Sequence, residues 1–139
     1  MKPYFWALFA AFSWGFAPIL EKFGLAKVSV YAGLFCRCLG VVIGLLILLA
    51  FRFEEIKYTF STGNLTWLFL VGGGFLASVI GQMFFYNALK DGDISQVVTI
   101  GASYPLISFV LGVIFFGEAL TWGKVSGLGF VIMGVLLLK

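Results

Sequence analysis

No charged residue occurs between Lys2 and Glu21, from Ile94 to Gly117, or from Val125 to Leu138. An α-helix rises about 1.5 Å per residue, so roughly 20 apolar residues cross the hydrocarbon core of a bilayer. Each uncharged run is therefore about one crossing. Composition agrees: 62% of the 139 residues are hydrophobic, 11% are charged, and the mean hydropathy is +1.11. A water-soluble domain of this length needs roughly a quarter of its residues charged to cover its surface. The expected fold is an all-α membrane protein with five transmembrane helices in a single domain over residues 1–139.

The five spans are expected at about 4–20, 28–51, 65–89, 94–116 and 122–138. Trp14-Gly15 and Pro18 predict a bent or loosened first helix, and Glu21-Lys22 a solvated helix end that closes it, with gating of the cavity mouth as the rival role. In the second span Gly33, Cys36, Gly40 and Gly44 form a small-residue stripe that admits a neighbouring helix. The stretch from Arg52 to Asn64 reads as a polar loop. Span three opens on Thr66-Trp67, an interfacial anchor, and carries Ser78, Gln82 and Tyr86 on one face. Span four repeats that spacing with Ser95, Thr99 and Ser103 and is expected to bend at Pro105, which removes a backbone hydrogen bond. Gly123, Gly127 and Gly134 share a face of the short fifth span and suit helix pairing.

Arg37 is the principal candidate for function. An arginine deep in a bilayer costs roughly 2.5–3.5 kcal/mol on insertion scales, so it is expected to face the bundle interior. There it either attracts an anionic group of a solute or is tied to backbone carbonyls or a partner carboxylate. Gln82, Tyr86, Thr99, Ser103 and Tyr104 read as a lining that hydrogen-bonds a small solute. The same groups also serve as glue between helices. Trp14, with Phe12, Phe16 and Phe84, has the chemistry to stack on an aromatic or cationic solute. Glu118 reads as the anchor of a helix boundary, with proton coupling as the rival role.

Several classes are disfavoured. There is no histidine, and Cys36 and Cys38 project about 200° apart on a helix, so no metal-ligand set or activated nucleophile is expected. The chain reads as no enzyme, with no cofactor and no metal. The net charge of +3 comes without the basic cluster that nucleic acid requires.

Trp14-Gly15 with Glu21-Lys22, Arg37, Tyr86-x-Ala88-Leu89, Pro105 and Gly117-Glu118-x-Leu120-Thr121 together resemble the EamA repeat of the drug/metabolite transporter superfamily. The resemblance covers essentially the whole chain. Most members look like two such repeats fused into ten helices of inverted topology around a central cavity, and this chain is similar to the short five-helix members. The resemblance implies a multi-pass protein of the plasma (inner) membrane that transports, and by expectation exports, small metabolites or drugs by alternating access. It also implies cavity-lining roles for Trp14, Gln82, Tyr86, Thr99 and Ser103. A more distant similarity to the small multidrug exporters lacks their carboxylate inside the first helix.

With five spans the two ends lie on opposite sides. Arg37 apart, Lys2, Arg52, Lys57 and Lys124 fall on one side and Lys22, Lys27, Lys90 and Lys139 on the other. Lysine and arginine bias sets orientation, and here it is balanced. The expected partner is therefore a second copy in inverted orientation, an antiparallel homodimer of dual topology that rebuilds the inverted-repeat pair. The alternative is a non-transporting or flippase-type subunit that needs a different partner chain.

Overall fold

The computed structural model describes residues 3–59 and 64–137. These form five helices, with no strand among the described residues. Helix α1 is Pro3–Leu25 and α2 is Val30–Thr59. Helix α3 (residues 64–91) joins Asn64–Phe75, a π-helical turn Leu76–Gly81, and Gln82–Asp91. Helix α4 (residues 94–116) consists of Ile94–Gly101 and Tyr104–Phe116, and α5 is Trp122–Leu137. The first four are long and apolar enough to cross a membrane; α5 is apolar but has 16 residues. The protein is an all-α membrane protein.

Three boundaries differ from the expected ones, each for a local reason. Helix α1 continues past residue 20 to Leu25. After a short connector, Ser29 caps the next helix, its hydroxyl accepting from the Ala32 N–H at 3.3 Å, the N-cap arrangement that satisfies an orphan amide. Helix α2 passes through the polar stretch expected as a loop and ends at Thr59. Its path bends at Arg52 (φ −132°, ψ 29°), where the apolar run ends. Beyond the bend, an Arg52–Glu55 pair at 2.6 Å supports the next helical turn. Residues 60–63 of that expected loop lie outside the described residues, as does residue 138 of the fifth expected span.

The third difference is at Pro105. It does not bend a continuous helix, because α4 is interrupted at Ala102-Ser103 and Pro105 stands in the first turn of the second half. A first-turn amide has no intrahelical acceptor, so proline's missing N–H costs nothing there. The Ser103 hydroxyl closes the break by donating to the Ile100 carbonyl at 2.6 Å. Pro18, by contrast, lies inside α1, which is helical on both sides of it. Helix α4 ends at Gly117, whose φ of 63° belongs to the left-handed region. The following Glu118 N–H donates back to the Gly112 carbonyl at 3.3 Å.

The chain divides into two compact units. One is Leu20–Lys90; the other comprises Met1–Ile19 and Asp91–Lys139. In the first, Leu25, Val30, Tyr86 and Leu89 are buried and form its core. In the second, Pro18 and Gly112 are buried and Ile94–Gly101 packs against α5. Elsewhere large apolar side chains point outward, as in Leu45, Phe69 and Ile114. In a bilayer these exposed surfaces meet lipid rather than water, so outward apolar side chains carry no penalty.

Candidate functional site

Within the unit spanning residues 20–90, three helix faces converge, and side-chain spacing dictates which residues meet. Residues four apart on a helix stand on the same side. That places Glu21 with Leu25 on α1, Gly33 with Arg37 on α2, and Ser78 and Gln82 with Tyr86 on α3. The residues nearer the helix ends, Leu25, Val30, Tyr86 and Leu89, pack into an apolar layer. Leu25 and Tyr86 are each 2% exposed and Leu89 is fully buried. One turn deeper lies a polar layer of Glu21, Arg37 and Gln82.

The geometry of the deeper layer is specific. The Arg37 Nε stands 3.5 Å from the Glu21 Oε1, with the two side chains 29% and 17% exposed. The Gln82 amide donates to both Glu21 oxygens, at 3.2 and 3.3 Å. Arg37 Nη1 donates to the Ser78 carbonyl at 3.3 Å. Ser78 belongs to the π-helical turn of α3. A π turn shifts the regular hydrogen-bond ladder, and here it presents a carbonyl to the guanidinium. Arginine, glutamate and glutamine from three different helices thus neutralise and satisfy one another in a partly buried layer.

Lysines tie the ends of the same helices. Lys22 Nζ donates to the carbonyls of Leu89 (2.5 Å) and Lys90 (3.2 Å), at the C-terminus of α3. A cation there satisfies orphan carbonyls and meets the negative end of the helix dipole. Lys90 Nζ donates in turn to the Val28 carbonyl at 2.9 Å. The Glu21-Lys22 pair, expected as a solvated end, is therefore engaged on both members: extension of α1 to Leu25 places Glu21 one turn inside the helix, facing Arg37. A cavity of about 360 Å³ opens beside the cluster, lined by Leu20, Glu21, Gly24, Leu25, Val28, Gly33, Cys36, Arg37 and Tyr86.

Gly33 makes this convergence possible. A Cβ at that position would come within 2.6 Å of Leu25 Cδ2 and 3.5 Å of Tyr86 Cε2. Gly40 and Gly44 continue the same small-residue stripe, yet a Cβ on either meets nothing within 4 Å. Only the first glycine of the stripe is required by a close approach.

The sequence-predicted site residues fall into two groups. Arg37, Gln82 and Tyr86 come together around Glu21. Trp14, Thr99, Ser103 and Tyr104 belong to the other unit. There Trp14 is 65% exposed, and Phe12 and Phe16 beside it have ring centroids 4.8 Å apart. Thr99 donates to the Ser95 carbonyl at 2.6 Å and Ser103 to the Ile100 carbonyl, so both hydroxyls are satisfied within their own helix. Tyr104 lines a separate cavity of about 490 Å³ with Pro105, Ser108, Glu118 and Lys124 among its walls. Glu118 pairs with Lys124 at 2.9 Å across the Gly117 turn. It thereby anchors the boundary between α4 and α5, as its position suggested.

Sequence reasoning missed the Ser78 carbonyl, and it weighed Glu21 only as a solvated helix end or a gate, not as the partner of Arg37 and Gln82. Part of the signal for Glu21 was present in Ser29: an N-cap there fixes the far end of the connector, and a short connector leaves Glu21 inside α1. The π turn has no comparable signature in the residues Leu76–Gly81.

The EamA-like transporter family model matches residues 1–139. A Sinorhizobium protein called an uncharacterized transporter in the cobO 3' region is 28% identical over 134 residues, covering 96% of this chain and 94% of its own. An uncharacterized transporter of Archaeoglobus fulgidus is 31% identical over 134 residues, and the match covers 96% of this chain but 45% of that longer protein. An uncharacterized protein of Methanocaldococcus jannaschii is 27% identical over 132 residues, covering 95% and 92%. No solved structure matches.

Proposed function

The chain belongs to the EamA-like transporter family, and from that premise we infer that this membrane transporter moves small metabolites or drugs by alternating access, in the direction of export. The observation that carries the reading is the layering of the 20–90 unit. A charged and amide-bearing layer, Glu21, Arg37 and Gln82, lies one turn beneath an apolar layer of Leu25, Val30, Tyr86 and Leu89. Polar groups at membrane depth mark solute paths, and an apolar layer over them is what one closed end of such a path requires. Arg37, Gln82 and Tyr86 are the proposed solute contacts in this unit; Trp14, Thr99, Ser103 and Tyr104 are the proposed contacts from the other.

The proposed working form is an antiparallel homodimer in the plasma (inner) membrane. Two lines support it: the four-to-four split of lysine and arginine, Arg37 apart, that five crossings would give, and the match of this chain to less than half of the longer Archaeoglobus relative. Reconstitution of the purified chain alone into liposomes, followed by uptake of a library of labelled metabolites, tests the proposal. Uptake of any solute above empty liposomes supports a self-sufficient transporter. No uptake by the chain alone, with uptake restored by a co-expressed second membrane protein, assigns it instead as a subunit.

A further inference from the structure

We propose that Glu21 and Arg37 form an exchange site, in which a proton on Glu21 frees Arg37 to hold the carboxylate or phosphate group of an anionic solute. The proposal deepens the transport reading and rests on it for the identity of the site.

The geometry favours exchange over a fixed structural pair. Contact between Arg37 and Glu21 is single and long, Nε to Oε1 at 3.5 Å, not the two-pronged fork that arginine forms with carboxylates. Arg37 has five N–H donors. One contact goes to Glu21 and one to the Ser78 carbonyl, and the guanidinium borders the 360 Å³ cavity. Glu21 does not depend on Arg37 for its hydrogen bonds, because Gln82 reaches both of its oxygens. A protonated Glu21 still has a neutral partner in the Gln82 amide, which presents an acceptor oxygen as well as its N–H donors.

Charge conservation then couples the two events. As found, the pair is neutral. An anion added alone would leave one excess negative charge in a site of low dielectric; a proton added alone would leave one excess positive charge. Either leaves an uncompensated, partly desolvated charge and is disfavoured on its own. A proton and a monoanion together restore neutrality: the proton joins a Glu21 oxygen, the guanidinium keeps its charge, and the solute anion replaces the carboxylate as its counterion. No bond in the solute is made or broken. Two further titratable groups face the pair: Tyr86 from α3, whose hydroxyl hydrogen-bonds Glu21, and Cys36 from α2, which lines the same cavity; Lys22 and Lys90 are directed at the backbone carbonyls of Leu89, Lys90 and Val28. The exchange runs in either direction, so net flow follows the combined gradients of proton and anion.

Binding to the purified full chain in detergent is the test, with radiolabelled acetate, a monoanion throughout the neutral range, as the probe. Because binding is read without transport, its result is independent of whether the protein moves any solute. For the wild type, probe affinity is expected to rise about tenfold for each unit fall in pH, the slope of one linked proton. Glu21→Gln, which mimics the protonated group, is expected to bind the same probe more tightly than the wild type at neutral pH and without pH dependence. Arg37→Gln is expected to lose binding. Equal pH slopes in the wild type and Glu21→Gln would overturn the proposal, as would unchanged binding in Arg37→Gln. Absence of probe binding by a Glu21→Gln protein that elutes as the wild type does on size exclusion would also overturn it, since that variant presents Arg37 stripped of its counterion.

Discussion

Glu21 and Arg37 show how one side chain changes the meaning of another. Unpaired, Arg37 would be a costly charge at membrane depth; with Glu21 and the Ser78 carbonyl it is neutralised and hydrogen-bonded. Removing one member of such a pair leaves the other stranded, which costs about 3 kcal/mol at the lower end for a largely buried pair. Glu21→Ala is therefore expected to melt well below the wild type in detergent, with Glu21→Gln falling between the two. Melting of Glu21→Ala at the wild-type temperature would show that the carboxylate does not hold the cluster. Gly33 gives a second expectation at this scale. Gly33→Ala forces its Cβ against Leu25 and should destabilise by about 1–3 kcal/mol, the usual penalty of overpacking. Gly40→Ala, with open space around it, should not. In a Leu25→Ala background the added cost of Gly33→Ala should largely vanish, and thermal denaturation of the four proteins decides the matter.

At the scale of elements, the helices are defined as much by their irregularities as by their apolar runs. The π turn of α3 sets the rotation of everything after it. Deleting Ala77, inside that turn, would return α3 to ordinary helical register and rotate Gln82 and Tyr86 by about 100° relative to the first half. We expect the helical circular dichroism of the deletion variant to be preserved and its melting temperature to fall. A deletion variant that melts like the wild type would mean that the polar layer contributes nothing to stability. The end of α4 depends on backbone conformation alone. A side chain at φ 63° costs about 1–2 kcal/mol, so Gly117→Ala should lower stability by that amount and Gly117→Asn by less, because asparagine tolerates the left-handed region.

The molecule has no strong orientation signal and, among the described residues, no large internal core. If all five helices cross, its lysines and arginines other than Arg37 fall four to each side, and most of its large apolar side chains are exposed. Lipid can cover that surface, but a second copy can cover part of it as well. If the chain inserts both ways, a tag fused after Lys139 should be found on both faces of the membrane in intact cells, in similar amounts. Detection on one face only would exclude the antiparallel homodimer and direct attention to an oppositely oriented partner protein.

The sequence by itself determined that this is a helical membrane protein. Uncharged runs long enough to cross a bilayer leave no soluble alternative, and that inference needs only residue chemistry and the helical rise. It also identified Arg37, Gln82 and Tyr86, because polar groups stand out against an apolar background at fixed helical spacing. What it did not reveal was the partner of Arg37. Glu21 sits next to Lys22 near the end of an apolar run, where a solvated pair is the ordinary outcome. Only the tertiary arrangement turns the two in different directions, Glu21 towards Arg37 and Gln82, and Lys22 towards the end of α3. The physical reason is that a pairing across three helices depends on where each helix stops, how the π turn rotates α3, and how closely Gly33 lets the chains approach. None of these is a property of a single segment, so the polar layer exists only once the helices are packed.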